Sequence, residues 1–185
     1  KLQALRRSNN KPFFLWKLHF SEIFLKKGGF DVVIANPPYI KEYVEKRAFD
    51  GLRNSPYYQG KMDIWYLFAC KGIDLSRNNS GFITFIAQNN WVTSFGASKM
   101  RNKVITDVQI LSLMDFGEFK IFENAGIQTM VMMFKKDTSM ENYSFDYRRL
   151  KGDTLELNDV ISLLNKGKSI KTEYLNPAIC RKTFI

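Results

Sequence analysis

The sequence holds a single histidine, His19, and two cysteines, Cys70 and Cys180, far apart and without Cys-x-x-Cys spacing. Zinc sites and redox dithiols need clusters of these residues at short spacing, so neither is expected. A Ser-His-Asp mechanism would rest wholly on His19, and no Gly-x-Ser-x-Gly elbow accompanies it. No apolar run is long enough to span a bilayer and no leader peptide opens the chain, so a reducing, cytoplasmic setting is expected. Acidic residues are outnumbered, 18 against 28 Lys and Arg, for a net charge of +10. Such an excess fits a polyanionic partner, nucleic acid first, and equally fits a surface kept soluble by charge. The 185 residues suffice for one packed domain with a short appendage. The chain opens on Lys1 in mid-pattern, as a piece of a longer protein would.

Sixteen phenylalanines promise a real core. Residues 1–12 are polar and basic, and the aromatics of 13–24 follow no clean period. After Gly28 and Gly29, residues 30–35 form a β-branched apolar run that reads as a strand buried on both faces. Asn36-Pro37-Pro38-Tyr39 ends it, because two prolines forbid further ladder donation. Residues 41–61 are polar, charged and rich in tyrosine, the pattern of a functional loop. Trp65, Phe68, Ala69, Gly72 and Ile73 recur at helical spacing, and Ala97, Met100 and Val104 give a second stripe carrying Lys99, Arg101 and Lys103. Cys70, inside the first stripe, is expected to be a buried thiol. Strands are expected at 82–87, 108–116, 127–134 and 143–150, and a helix at 158–166 closed by Gly167. The result is an α/β fold with a mostly parallel sheet, in which ligands bind beyond the carboxyl ends of strands.

The Asn-Pro-Pro-Tyr segment stands at such an end. An exocyclic amine conjugated to a ring is a poor nucleophile, and two acceptors aimed at its protons would free the nitrogen lone pair. The Asn36 side-chain oxygen can be one acceptor, and the carbonyl of Pro37, rigid between fixed φ angles, the other. Neither has to ionise, so the shortage of histidine and cysteine is no obstacle. Tyr39 offers a flat apolar face for a base taken out of its stack. The plainer reading of the tetrapeptide is a strand-terminating turn.

Residues 30–40, Phe-Asp-Val-Val-Ile-Ala-Asn-Pro-Pro-Tyr-Ile, resemble the catalytic motif of adenine-N6 DNA methyltransferases of type II restriction–modification systems, fused restriction–methylation enzymes included. The resemblance covers about residues 13–136. It continues through Lys61-Met62-Asp63-Ile64-Trp65-Tyr66-Leu67-Phe68, the strand Gly81-Phe82-Ile83-Thr84-Phe85-Ile86, the stretch from Asn90-Trp91 to Arg101, and Phe116-Gly117-Glu118-Phe119-Lys120-Ile121-Phe122. It implies that Asn36, Pro37 and Pro38 form the amine site, that Tyr39 stacks on the flipped adenine, and that Phe122, or Phe119, closes the other side. Lys61 and Asp63 would orient the pocket wall, although Asp63 reads equally as a helix-start residue and Phe122 as a core aromatic. Lys41, Lys46, Arg47 and Arg53, interleaved with Tyr43, Tyr57 and Tyr58, would track double-stranded DNA.

The family binds S-adenosylmethionine at a Gly-x-Gly turn after its first strand. Gly28 and Gly29 precede the strand at 30–35, so the cofactor-binding residues are expected mostly upstream of this chain. The resemblance therefore implies a partial Rossmann-like sheet, strands 4-5-7-6 of a seven-stranded order 3-2-1-4-5-7-6. Residues 1–29 would be a lead-in, 30–136 the catalytic half, and 137–185 an extension toward target recognition. The fragment alone would be inactive, and the strand at 30–35 would expose an apolar edge, inviting self-association unless residues 1–27 cover it. A glutamine-N5 protein methyltransferase, which also uses Asn-Pro-Pro-Tyr, and a non-catalytic DNA-binding module stay open as alternatives.

Overall fold

A computed structural model describes residues 14–123 and 126–181; the basic stretch at 1–12 and Phe13 lie outside the described residues. Two short helices lead in, α1 (Trp16–His19) and α2 (Ser21–Lys27), the second closed by Gly28 at φ 77°, a left-handed conformation glycine adopts without strain. Trp16, Phe20 and Phe24 each meet Phe30 edge-on, at ring distances of 6.0, 5.2 and 5.4 Å. These aromatics follow no period because they serve a local ring cluster rather than one helix face.

The main body then runs β1 (Val32–Ala35), α3 (Trp65–Leu75), β2 (Phe82–Gln88), α4 (Ser98–Asp107), β3 (Gln109–Asp115), β4 (Thr129–Lys135), β5 (Asn142–Ser144), β6 (Asp146–Leu150), α5 (Leu157–Leu164), β7 (Thr172–Leu175) and β8 (Ala178–Cys180). The main sheet has the order β1-β2-β4-β3-β6-β7, and β5 pairs β8 in a separate ribbon. β1 lies parallel to β2 and β6 parallel to β3, while β4 enters antiparallel between β2 and β3. The run β1-β2-β4-β3 is the 4-5-7-6 arrangement of a Rossmann-like methyltransferase sheet. β4 and β7 run against the other strands, so the sheet is mixed.

Side chains alternate across the strands and divide the core in two. Ile83, Phe85, Met130, Met132 and Phe134 pack with Trp65, Cys70 and Ile73 of α3 and Met100 and Val104 of α4. Gly72 lets α3 approach closely, since a Cβ there would stand 2.9 Å from the Phe85 ring and 3.3 Å from Val33. On the other face, Ile86 and Val131 meet Phe116, Leu150, Val160 and Leu163, the last two from α5. A reciprocal capping box between Glu156 and Asp159 starts α5.

One expectation is overturned. The first strand is not buried on both faces: Val32 is 61% and Ile34 77% exposed, while Val33 and Ala35 pack inward. β1 is the sheet's edge, and α5 covers the second face only near the other end. Among the described residues, the α1–α2 rings gather on Phe30 and leave Val32 and Ile34 open. Cys70 is buried, and burial pushes its thiol up to about 12. Among the described residues no helix is long and apolar enough to cross a membrane, and no His, Cys, Asp and Glu cluster could hold a metal ion.

Candidate active site

β1 stops at Ala35 because Pro37 and Pro38 cannot extend the ladder, and the chain turns out over the carboxyl ends of β1 and β2. Pro37 is buried; Asn36 and Pro38 are exposed. The Tyr39 hydroxyl lies 2.6 Å from Asn36 Oδ1 and 2.9 Å from the Ile86 carbonyl, and with one proton it donates to one of them at a time. Burial, assisted by the charge of Asp63, raises the Tyr39 phenol above its ordinary range, so the hydroxyl keeps its proton. The Pro37 carbonyl accepts no hydrogen bond among the described residues. The site therefore holds a free backbone acceptor beside a side-chain acceptor oriented by a tyrosine.

Phe122 is brought to the same place, its ring 6.5 Å from that of Tyr39 and tilted by 44°. Phe119 instead packs with Phe116, Leu150, Val160 and Leu163. The structure thus separates two aromatics that sequence spacing left interchangeable.

A backbone clamp fixes the motif. Ile64 N–H donates to the Ile40 carbonyl and Glu42 N–H to the Met62 carbonyl, each at 2.9 Å, so 40–42 pairs antiparallel with 62–64 just ahead of α3. Asp63 is buried within this clamp. Its Oδ1 accepts from Trp65 N–H at 3.4 Å and its Oδ2 has no partner among the described residues. Burial dominates and raises its carboxyl above the usual range, against the pull of Trp65 N–H and the Lys41 charge. As a helix-start contact the bond to Trp65 N–H is a long one, and the carboxyl lies inside the clamp ahead of α3. Lys61 is exposed with φ 49°, and Gly96 packs against it so closely that a Cβ would fall 2.3 Å from the Lys61 carbonyl oxygen.

The basic loop is less free than its composition implies. Arg53 donates to Glu42, to the Tyr58 hydroxyl at 2.7 Å and to the Lys46 carbonyl at 3.2 Å, so it serves the loop's own structure. Lys41 lies over the Tyr43 ring at 5.9 Å, and Lys46 and Arg47 are exposed. Glu42 was invisible in the sequence because a glutamate amid loop charges carries no local signal. It is buried and accepts from the Tyr58 hydroxyl and Arg53. Burial pushes the Glu42 carboxyl up, but Tyr58 and Arg53 outweigh burial and hold it below the ordinary range.

The model of the Eco57I restriction-modification methylase family matches residues 3–122, well over half of the chain. The chain belongs to this family. A protein of Methanocaldococcus jannaschii described as a type II restriction enzyme and methyltransferase is 30% identical over 128 residues, covering 68% of this chain and 10% of that protein. The type II methyltransferase M.BanIII of Aneurinibacillus aneurinilyticus is 28% identical over 108 residues, 57% of this chain and 18% of its own length. This family member thus spans less than a fifth of either relative. Among solved structures, the methyltransferase subunit of a type I restriction-modification system from Streptococcus thermophilus shares the fold at TM-score 0.53 and 18% identity, over 76% of this chain and 32% of that one.

Because Glu42 is held below its ordinary range, the stability it contributes is complete above the unfolded carboxylate value and lost as pH falls through the folded one. Thermal melts should place Glu42→Gln a few degrees below wild type at neutral pH. The gap should shrink on acidification and close once Glu42 is protonated in the folded state; a gap independent of pH would contradict this assignment.

Proposed function

We propose that this chain carries the base-binding, amine-activating part of an S-adenosylmethionine-dependent DNA methyltransferase that modifies adenine N6 in a restriction–modification system. The observation that supports this most is the pairing of two uncharged acceptors, Asn36 Oδ1 and the Pro37 carbonyl, beside the facing rings of Tyr39 and Phe122. The acceptors would take the two protons of the amine and stabilise positive charge developing on nitrogen without reorganising. The rings would hold the base outside its duplex. A base between parallel rings needs a separation of roughly 7 Å, twice the ~3.4 Å rise per stacked base. At 6.5 Å and 44° the rings must level and part slightly, and Tyr39 must leave Asn36 for the Ile86 carbonyl. Residues 30–136 would form the catalytic portion, 1–29 the lead-in and 137–185 the extension toward target recognition.

S-adenosylmethionine would supply the transferable methyl group. The residues present do not fit it as a complete site: Gly28 and Gly29 lie at the amino end of β1, whereas Asn36 stands at the carboxyl end. The isolated chain is expected to transfer no methyl group.

Lys41, Lys46 and Arg47 would meet DNA phosphates, while Arg53 shapes the loop that presents them. The apolar outer edge of β1 would pair with a second copy, since an edge strand with Val32 and Ile34 uncovered is a template for association.

In the full gene product, Asn36→Ala should lower transfer of labelled methyl to adenine N6 by at least ~100-fold while DNA binding persists. Label on protein glutamine instead would favour the amide-methylating alternative, and no label on either from a folded enzyme would overturn the proposal. Replacing Lys46 and Arg47 with alanine should weaken DNA binding alike on all sequences and reduce its salt slope by about one per residue; an unchanged slope removes them from the DNA track. Sedimentation of the 185-residue chain should reveal concentration-dependent association that Ile34→Lys abolishes; a monomer at every concentration would refute the edge pairing.

A further inference from the structure

Gln88 closes β2 and is 4% exposed, yet its buried Oε1 makes no hydrogen bond among the described residues. Directly across the antiparallel pair stands Thr129, fully buried, whose Oγ1 is likewise unpartnered. A buried amide is normally paired, so one left open in the core of a sheet end calls for an explanation. Gln88 lines a cavity of about 260 Å³ with Lys41, Asn89, Asn90 and Gln128.

Two of the residues lining this cavity, Lys41 and Gln88, stand near the amine site in sequence and in strand register. Ala35 is in register with Phe85, which sets Asn36 level with Ile86, and Gln88 follows two residues further along the same strand. The Tyr39 hydroxyl reaches the Ile86 carbonyl at 2.9 Å, and Lys41, two residues after Tyr39, lines the cavity. Gln88 therefore flanks the Asn-Pro-Pro-Tyr segment from the neighbouring strand.

A side-chain amide presents a donor beside an acceptor in one plane, the pattern with which proteins match an adenine edge. With both protons of the exocyclic amine taken by Asn36 and Pro37, the groups left on the adjoining edges are the ring nitrogens N1 and N7, which need a donor. We propose that Gln88 is a base-reading residue. Its Nε2 donates to one of these ring nitrogens, and Thr129 Oγ1–H, unpartnered before the base enters, turns to donate to Gln88 Oε1 and hold the amide that way round. The proposal rests on the adenine-N6 reading above. Where the nitrogen read is N1, the contact also accounts for selectivity, because guanine would turn its N1–H donor toward the Nε2 donor, whereas N7 is an acceptor in both purines.

The test uses the full gene product and oligonucleotides whose target adenine is replaced by 1-deazaadenine or by 7-deazaadenine. Wild type should lose roughly 10- to 100-fold in kcat/KM on one analogue and little on the other. Gln88→Leu, and the isosteric Gln88→Glu, which lacks the donor, should lose a similar factor on adenine and nothing further on the sensitive analogue. Thr129→Val should show a smaller loss and blunt the same analogue's effect. Wild type indifferent to both analogues overturns the proposal without recourse to any variant. So does a Gln88→Leu enzyme that keeps wild-type rates, or one that keeps full sensitivity to the analogue. A wild type that methylates no adenine fails the underlying reaction reading, and the proposal with it.

Discussion

Two backbone hydrogen bonds, Ile64 N–H to the Ile40 carbonyl and Glu42 N–H to the Met62 carbonyl, join the chain leaving β1 to the chain entering α3. Every feature of the site depends on that clamp. Prolines end β1 but cannot say where the next residues go, since they remove donors and add no partner. The clamp carries Tyr39 back over β2, where its hydroxyl finds Asn36 and the Ile86 carbonyl. It also buries Asp63 below the motif, at an electrostatic cost expressed in the raised carboxyl. α3 is itself anchored by its apolar face on β1 and β2, which Gly72 allows to come close. Core packing and site geometry are one construction.

The surplus positive charge is largely put to internal use near the site. Lys103 bridges Asp74 and Asp107 at 2.8 and 2.6 Å, and Lys99 donates to the Tyr58 carbonyl at 2.8 Å. Arg101 holds the Trp91 and Ser94 carbonyls, each at 2.6 Å, tying the turn after β2 to α4. These cations tether the 41–61 loop and the 89–97 turn to the helices, as Arg53 does within the loop. Net charge alone is therefore a poor map of a nucleic-acid surface. Lys46 and Arg47 project from this loop, with no side-chain hydrogen bond or ion pair among the described residues.

Much of the secondary structure was legible because it follows from local rules. The strands near 82–88, 109–115 and 129–135 and the helices α3, α4 and α5 fall where β-branched runs and helical stripes placed them. The aromatic lead-in at 14–30 was not legible, since its rings converge on Phe30 without periodicity. Burial of the first strand was misjudged for a related reason. An apolar run records what a strand can tolerate on both faces, and Val32 and Ile34 have no covering layer among the described residues.

From the sequence by itself came the α/β alternation, the proline-stopped strand and the proposal that Asn36, Pro37 and Tyr39 act on an amine. Those are properties of neighbouring residues, set by backbone geometry and side-chain chemistry over a few positions. Only the tertiary structure decided that Phe122 and not Phe119 faces Tyr39, that Arg53 bonds to the buried Glu42, and that Gln88 and Thr129, paired across β2 and β4, carry polar atoms without partners among the described residues. Each of these depends on what a side chain meets from a distant part of the chain, and the free energy of such a meeting is not written in the residues beside it.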